Sequence, residues 1–167
     1  RLQRRQGLVR REPRPGAGEE AVVIARITGT VVQVAATALV VDLHGLGLRV
    51  LCTPATSASA RPGEPITLHT SLVVREDSLT LFAFADAEER DAFELVQSVT
   101  GIGPKIAQAI VSVLPPDALR AAVASNNLAA LTKVPGIGRK GAERLVIELR
   151  DKVAGLGSGA AGGHGGA

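Results

Sequence analysis

Residues 99–110 read Val-Thr-Gly-Ile-Gly-Pro-Lys-Ile-Ala-Gln-Ala-Ile, and residues 134–145 read Val-Pro-Gly-Ile-Gly-Arg-Lys-Gly-Ala-Glu-Arg-Leu. The two segments superimpose at an offset of 35 residues. They share an opening Val, a Gly-Ile-Gly centre, a Lys two residues past the second Gly, an Ala and a closing aliphatic. A Gly-x-Gly turn lets the backbone take positive φ and approach another surface with no Cβ in the way. The central Ile can pack down as a plug that keeps the turn rigid. A helix beginning directly after the second Gly faces its unpaired N–H groups and its positive dipole end outward, which suits a phosphate. Pro104 fits the first helical turn, where its missing N–H needs no partner.

The donors expected of the first turn, built on Gly101 and Gly103, are Gly103, Lys105 and Ile106. Those of the second, built on Gly136 and Gly138, are Gly138, Arg139 and Lys140. Lys105, Arg139, Lys140 and Arg144 add positive charge beside them. One such turn would say little, since tight helix–helix connections use the same residues. Two copies, each followed by cations, favour phosphate contact. A dinucleotide-binding reading fails because no strand precedes either turn and no third Gly follows at the expected place. The segments read as a pair of helix-hairpin-helix motifs that would hold neighbouring phosphates across a minor groove without reading bases.

Outward from the repeat, a helical period runs back to Ala87. Phe93, Val96 and Val99 recur at helical spacing, as do Ile106, Ala109, Ile110 and Val113, then Leu119, Val123, Leu128 and Leu131. Asp86 and Asp117 are candidate N-caps, and Pro115-Pro116 ends a helix. Before residue 87 the pattern is that of strands, at Val23–Val32, Ala38–Leu43, Leu46–Cys52, Ile66–Arg75 and Ser78–Phe84. His44-Gly45 and Glu76-Asp77 fit tight turns, and Arg61 to Pro65 a longer connection. Five short strands in about 60 residues suit a small closed barrel of the OB type. The expected fold is therefore α+β: a five-stranded OB-type β-barrel over 23–86, then an all-α domain with two helix-hairpin-helix motifs over 87–154. Residues 1–22 are polar, with Pro and Gly, and are expected to be disordered. Residues 155–167 are expected to be a Gly-rich flexible linker.

Of the 19 Lys and Arg, six Arg lie in residues 1–22, together with three of the 16 Asp and Glu. The other 145 residues thus hold 13 of each sign, so charge placement carries any case for a polyanion partner, not net charge. Cys52 is the one cysteine, which excludes an intrachain disulfide and a Cys-based zinc cluster and reads as a small buried hydrophobe. No apolar run reaches membrane-span length and no secretory signal follows the Arg-rich opening, so a cytoplasmic protein is expected. His44 reads as a turn residue and His69 as a strand residue, and His164 stands apart from both. No catalytic residue, metal site or cofactor is expected.

Residues 73–82, Val-Val-Arg-Glu-Asp-Ser-Leu-Thr-Leu-Phe, put two adjacent carboxylates at a hairpin tip. On spacing alone Glu76 and Asp77 are a solvated turn, and a metal-binding pair lacks a third ligand. Taken together, Val-Val-Arg-Glu-Asp with its Leu-Phe-Ala-Phe strand, Thr-Gly-Ile-Gly-Pro-Lys-Ile-Ala and Val-Pro-Gly-Ile-Gly-Arg-Lys-Gly-Ala-Glu-Arg-Leu resemble the RuvA family. The resemblance runs from Val23 to about Val153. It implies Holliday-junction DNA as ligand, held open and planar for branch migration in recombination and repair by a homotetramer, one or two per junction. It implies the RuvB ATPase as partner, through a C-terminal domain expected to be missing here, with the RuvC resolvase as a further partner, and no membrane. It makes Glu76 and Asp77 an acidic pin at the junction centre. Unit charges about 6 Å apart repel by roughly 0.7 kcal/mol in water and several-fold more at lower dielectric, so pins would guide strands apart.

Several positions depart from the family pattern. Leu48 stands where an aromatic is usual and Ala83 where Gly is usual, which should alter barrel packing. Gly141 replaces a Thr-like residue and should loosen its helix start by about 1 kcal/mol. The family's Met-Ile start is matched by Val23-Ile24. With no Met in the chain, Val23 is expected to be the true start, leaving 1–22 as upstream sequence. A nuclease or glycosylase is disfavoured because Asp151 lacks the Gly/Pro-rich surroundings a catalytic Asp has beyond such a hairpin. A general duplex-binding module or a protein scaffold is the remaining alternative.

Overall fold

In a computed structural model, residues 23–153 are described. The disorder expected of 1–22 and the linker expected over 155–167 lie outside those residues. Alternating Val, Leu, Ile and Thr produce five strands: β1 (Arg26–Val34), β2 (Ala38–Leu43), β3 (Leu46–Cys52), β4 (Pro65–Val74) and β5 (Leu79–Phe84). They close in the order β1-β2-β3-β5-β4, with β4 returning to β1. Every pairing is antiparallel except β3 with β5, where Leu51 faces Phe82 and Cys52 faces Ala83. This is the expected OB-type barrel. The strand expected at Val23–Val32 instead starts at Arg26 and runs to Val34. Ile24 and Ala25 use their carbonyls off the ladder, accepting from Thr70 Oγ1 and from Thr70 N and Arg90 Nη1. The apolar letters there reported anchoring, not pairing.

The turns follow residue chemistry. His44 and Gly45 both take positive φ, and Gly45 N donates to Asp42 Oδ1 at 2.7 Å. A short helix, α1 (Pro54–Ser59), carries no apolar period and was not expected from sequence. Thr53 starts it, its hydroxyl accepting from Thr56 N. Cys52 is fully buried among barrel residues, and burial pushes its thiol up to about 11. It is the inert hydrophobe its setting implied.

Five further helices follow: α2 (Ala87–Gln97), α3 (Pro104–Val113), α4 (Pro116–Ala124), α5 (Leu128–Thr132) and α6 (Arg139–Leu149). Asp86 caps α2 as expected, accepting from Glu89 N at 2.8 Å. Burial and the nearby Asp86 carboxylate push the Glu89 carboxyl up. Asp117 is not a cap. The helix starts earlier than expected: the extended Pro115 is its N-cap residue and Pro116, whose missing N–H needs no partner, is its first helical residue. Asp117 sits in the first turn instead and pairs with Arg120 at 2.9 Å. The apolar series from Leu119 to Leu131 is two helices, because Asn126 takes φ +53 and Asn127 caps α5 through Ala130 N.

The barrel meets the helices at β5. Leu81 and Ala83 face the barrel core, while Phe82 and Phe84 belong to the helical core. Phe93 of α2 lies between them, with ring centroids 4.9 Å from each and tilts of 37° and 43°. Ala83 and the half-buried Leu48 both pack in the barrel cluster, where the departures from the family pattern were expected to act.

Phe93→Ala is expected to cost about 3–5 kcal/mol, because it opens a cavity where both cores meet. Urea denaturation followed by circular dichroism checks this, and a loss below 1 kcal/mol would contradict it.

Candidate nucleic-acid interface

The two Gly-Ile-Gly turns have the same backbone, bond for bond. Ile102 N donates to Val99 O at 3.1 Å, and Ile137 N donates to Val134 O at 3.1 Å. Gly101 has φ +85 and Gly136 φ +90, a region that L side chains enter only with strain. Gly103 and Gly138 are extended, with φ of −86 and −90, and are the residues from which α3 and α6 start. The first helical bonds run from Ala107 N to Gly103 O and from Ala142 N to Gly138 O, each 2.9 Å. The preceding N–H groups have no intrahelical acceptor: Lys105 and Ile106 in one turn, Arg139, Lys140 and Gly141 in the other. Pro104 takes the first helical position of α3, as expected. Neither Gly103 nor Gly138 needs its glycine for φ. What their missing Cβ provides is open space, with nothing within 4 Å at Gly138.

The plugs behave as expected. Ile137 is buried and Ile102 packs half-buried against the helical core. The two hairpins are also interlocked. Ile106 of α3 lies against Gly136, its Cγ1 3.5 Å from where a Cβ would stand. Arg144 of α6 donates from Nη1 to Thr100 O at 3.3 Å, and Glu148 Oε2 accepts from Thr100 N at 3.1 Å. Arg144 was expected beside its own hairpin, yet its guanidinium serves the other one. One helical turn beyond Lys140, it points across to α3's hairpin.

The cations around the turns are exposed. Lys105 and Lys140 have no carboxylate partner among the described residues. Arg139 pairs with Glu143 at 3.1 Å, with the arginine side chain largely open to water and the glutamate about half so. Such a pair stabilises by only a few tenths of a kcal/mol and yields readily to a stronger anion. The structure adds one cation that sequence reading passed over. Arg75 follows β4 directly, and its Nη2 lies 3.8 Å from the Cβ position of Gly103. Its side chain has no partner among the described residues. The signal was present in the Arg-Glu-Asp run, but only the fold shows that this arginine reaches the first hairpin. The Gly141 amide was also missed, being equivalent to Ile106 at the 35-residue offset.

Glu76 and Asp77 form the exposed tip of the β4–β5 hairpin, closed by Arg75 N donating to Ser78 O at 2.9 Å. The acidic tip therefore adjoins the arginine that reaches the first hairpin. Among the described residues no group of three or more His, Cys, Asp or Glu could hold a metal ion. No single described helix is long and apolar enough to cross a membrane.

Comparison with known proteins matches two family models. Residues 24–83 match the RuvA N-terminal domain, and 93–151 match a SAM-like helix-hairpin-helix tandem. Several relatives carry the description Holliday junction branch migration complex subunit RuvA. The chain is 59% identical to the one from Beutenbergia cavernae over 131 residues, which is 78% of the chain and 66% of the relative. It is 54% identical to that of Cutibacterium acnes over 134 residues, 80% of the chain and 67% of the relative. With that of Salinispora arenicola the identity is 51% over 143 residues, 84% of the chain and 72% of the relative. The chain thus spans about two thirds of the length of the curated relatives it matches.

The backbone angles separate the glycines by role. Gly136→Ala is expected to cost about 1–3 kcal/mol through strain at positive φ. Gly138→Ala should stay within about 0.5 kcal/mol of the parent. Gly141→Ala should stabilise α6 by about 0.5–1 kcal/mol, since a Cβ there meets only Ile137 Cγ2 at 3.7 Å. Urea midpoints of the three variants check the order, and a Gly138 variant as damaged as the Gly136 one would contradict it.

Proposed function

The chain belongs to the RuvA family, and we propose that it binds four-way Holliday-junction DNA without reading sequence, as a non-catalytic subunit for branch migration. The observation that carries this reading is the pair of hairpins with one backbone geometry, interlocked through Ile106, Arg144 and Glu148. Two helix N-termini held in fixed relation offer amide donors to two phosphates at once. Gly103, Lys105 and Ile106 would serve one phosphate, and Gly138, Arg139, Lys140 and Gly141 the other. Gly101 and Gly136 shape the turns. Arg75 supplies a further cation at the first hairpin, on the side facing the barrel tip.

Glu76 and Asp77 have the opposite role. Exposed carboxylates near a crossover repel phosphates and keep strands from settling there, while the hairpins hold the arms. The same reading includes assembly as a homotetramer, on one or both faces of the junction, in the cytoplasm. It also includes work in a complex with a RuvB-type motor and a RuvC-type resolvase. No step needs a metal, cofactor or nucleophile on this chain.

Titrating four-way junction, linear duplex and single strand side by side tests the binding mode. Junction should be preferred over duplex of equal length, with little dependence on arm sequence and a salt slope of about −0.9 per phosphate contacted. Equal affinity for duplex would count against the reading and favour a general duplex-binding module. Analytical ultracentrifugation of the complex reports the number of chains.

Single changes divide the interface. Lys105→Ala, Lys140→Ala and Arg75→Ala should each weaken junction binding and lower the salt slope by about one unit. Gly138→Val should fold normally and bind poorly, since only the approach to phosphate is blocked. Glu76→Gln with Asp77→Asn should leave junction binding intact or tighten it. A clear loss of affinity in that double amide, or normal binding by Gly138→Val, would sink the assignment.

A further inference from the structure

The two hairpins are alike in backbone but are held by different chemistry. At the second, the apolar Ile106 side chain rests against Gly136. At the first, the two peptides that flank Thr100 are gripped by one helix: the Val99–Thr100 N–H by Glu148 and the Thr100–Gly101 carbonyl by Arg144, four residues apart on α6. The 35-residue offset makes Ala109 and Val113 of α3 the counterparts of Arg144 and Glu148. Neither can bond to a peptide, so this polar grip belongs to the first hairpin alone. Conversely, the counterpart of Ile106 is Gly141, which has no side chain to pack.

The placement of Glu148 is unexpected on electrostatic grounds. A carboxylate at a phosphate-binding turn repels the ligand, so charge alone argues against it. Its bond to a backbone N–H gives it a different use. Gly101, directly after Thr100, has φ +85, and the rotation of the peptides on either side of Thr100 sets where the Gly103, Lys105 and Ile106 amides point. With the peptide on each side of Thr100 bonded to α6, neither can turn about the Thr100 Cα without losing a charge-assisted hydrogen bond. We propose that Glu148 and Arg144 are positioning residues that lock the peptides flanking Thr100 to α6. They hold the first hairpin's donors in register with those of the second, which α6 itself carries. The DNA ligand comes from the function proposed above, and the grip on Thr100 stands apart from it. Arg144 then acts on DNA through the first hairpin as well as through its charge.

Glu148 separates positioning from charge, because the two predict opposite signs. Glu148→Ala removes both the repulsive carboxylate and the grip. Glu148→Asp keeps the charge but is one methylene short of Thr100. Glu148→Gln removes the charge and keeps an acceptor oxygen within reach. The measurements are junction affinity across a salt series and the hydrogen-exchange rate of the Thr100 amide in the DNA-free protein. Positioning predicts about a tenfold loss of affinity for Ala and for Asp, an unchanged salt slope, and faster Thr100 exchange in both. Gln should stay within about twofold of the parent in affinity and keep slow exchange. Should the Ala variant not fold, Asp carries the same comparison at constant charge. Junction binding by the Asp variant equal to the parent's, or a loss in Gln as large as in Asp, overturns the proposal. Fast Thr100 exchange in the parent protein overturns the grip alone, whatever the DNA result. A parent protein that grips Thr100 yet binds no junction overturns the DNA reading and, with it, the positioning role.

Discussion

Phe93, held between Phe82 and Phe84, is the contact on which the rest of the structure depends. It decides where the helices sit on the barrel. β5 can take part because it is buried on both faces, with Leu81 and Ala83 serving the barrel and Phe82 and Phe84 the helices. A strand with two buried faces loses the usual apolar–polar alternation, as its buried run from Leu81 to Phe84 shows. The aromatic cluster is reinforced from outside by Arg90 of α2, whose Nη1 reaches Ala25 O at the approach to β1. Once α2 is fixed in this way, the chain leaving it enters the first hairpin beside the end of β4, and Arg75 meets Gly103. The geometry at the first hairpin is thus set partly by packing between aromatic rings that lie in the core.

Much of this was legible in the chain because the residues carrying it work locally. Gly-Ile-Gly followed by Pro or Arg and then Lys specifies a turn and a helix start within six residues, and both turns formed as read. His44-Gly45 and the Asp86 cap are of the same kind. Features that failed to show needed partners far away in sequence. Arg75 reads as part of an acidic tip until β4 and α3 are seen together. Arg144 looks like a cation for its own hairpin until its bond to Thr100, 44 residues back, is known. Glu148 is an ordinary helix-surface acid by sequence. Asp117 looks like a cap because it is acidic and follows two prolines, whereas Pro116 itself opens α4 and puts Asp117 inside the first turn. The run from Leu119 to Leu131 kept a helical period across a break because Asn126 and Asn127 are neutral to that pattern.

Charge balance sharpens what the interface must do. The described residues carry as many acidic as basic side chains, so long-range attraction to a polyanion is weak. At physiological salt a charge is felt over about 8 Å, and binding then depends on which charges lie within that reach of a phosphate. Lys105, Lys140 and Arg75 lie at the hairpins without an ion-pair partner among the described residues, while Glu76 and Asp77 extend from Arg75 as an exposed tip. On the proposed reading such an arrangement attracts at the hairpins and repels at the barrel tip, which suits a branched ligand better than a straight one.

Amide donors and cations contribute differently to such a contact. A cation that neutralises a phosphate releases counterions and weakens as salt rises, but a backbone N–H bond to the same phosphate releases none. The helix-start amides can therefore set orientation at any ionic strength, provided that the hairpins do not move relative to each other. That condition explains why a single helix, α6, both carries the second hairpin and grips the first through Thr100. On the proposed reading it also gives a physical reason for a carboxylate beside the first hairpin: the repulsion from Glu148 is screened and modest, whereas free rotation on either side of Thr100 would misdirect three amide donors together.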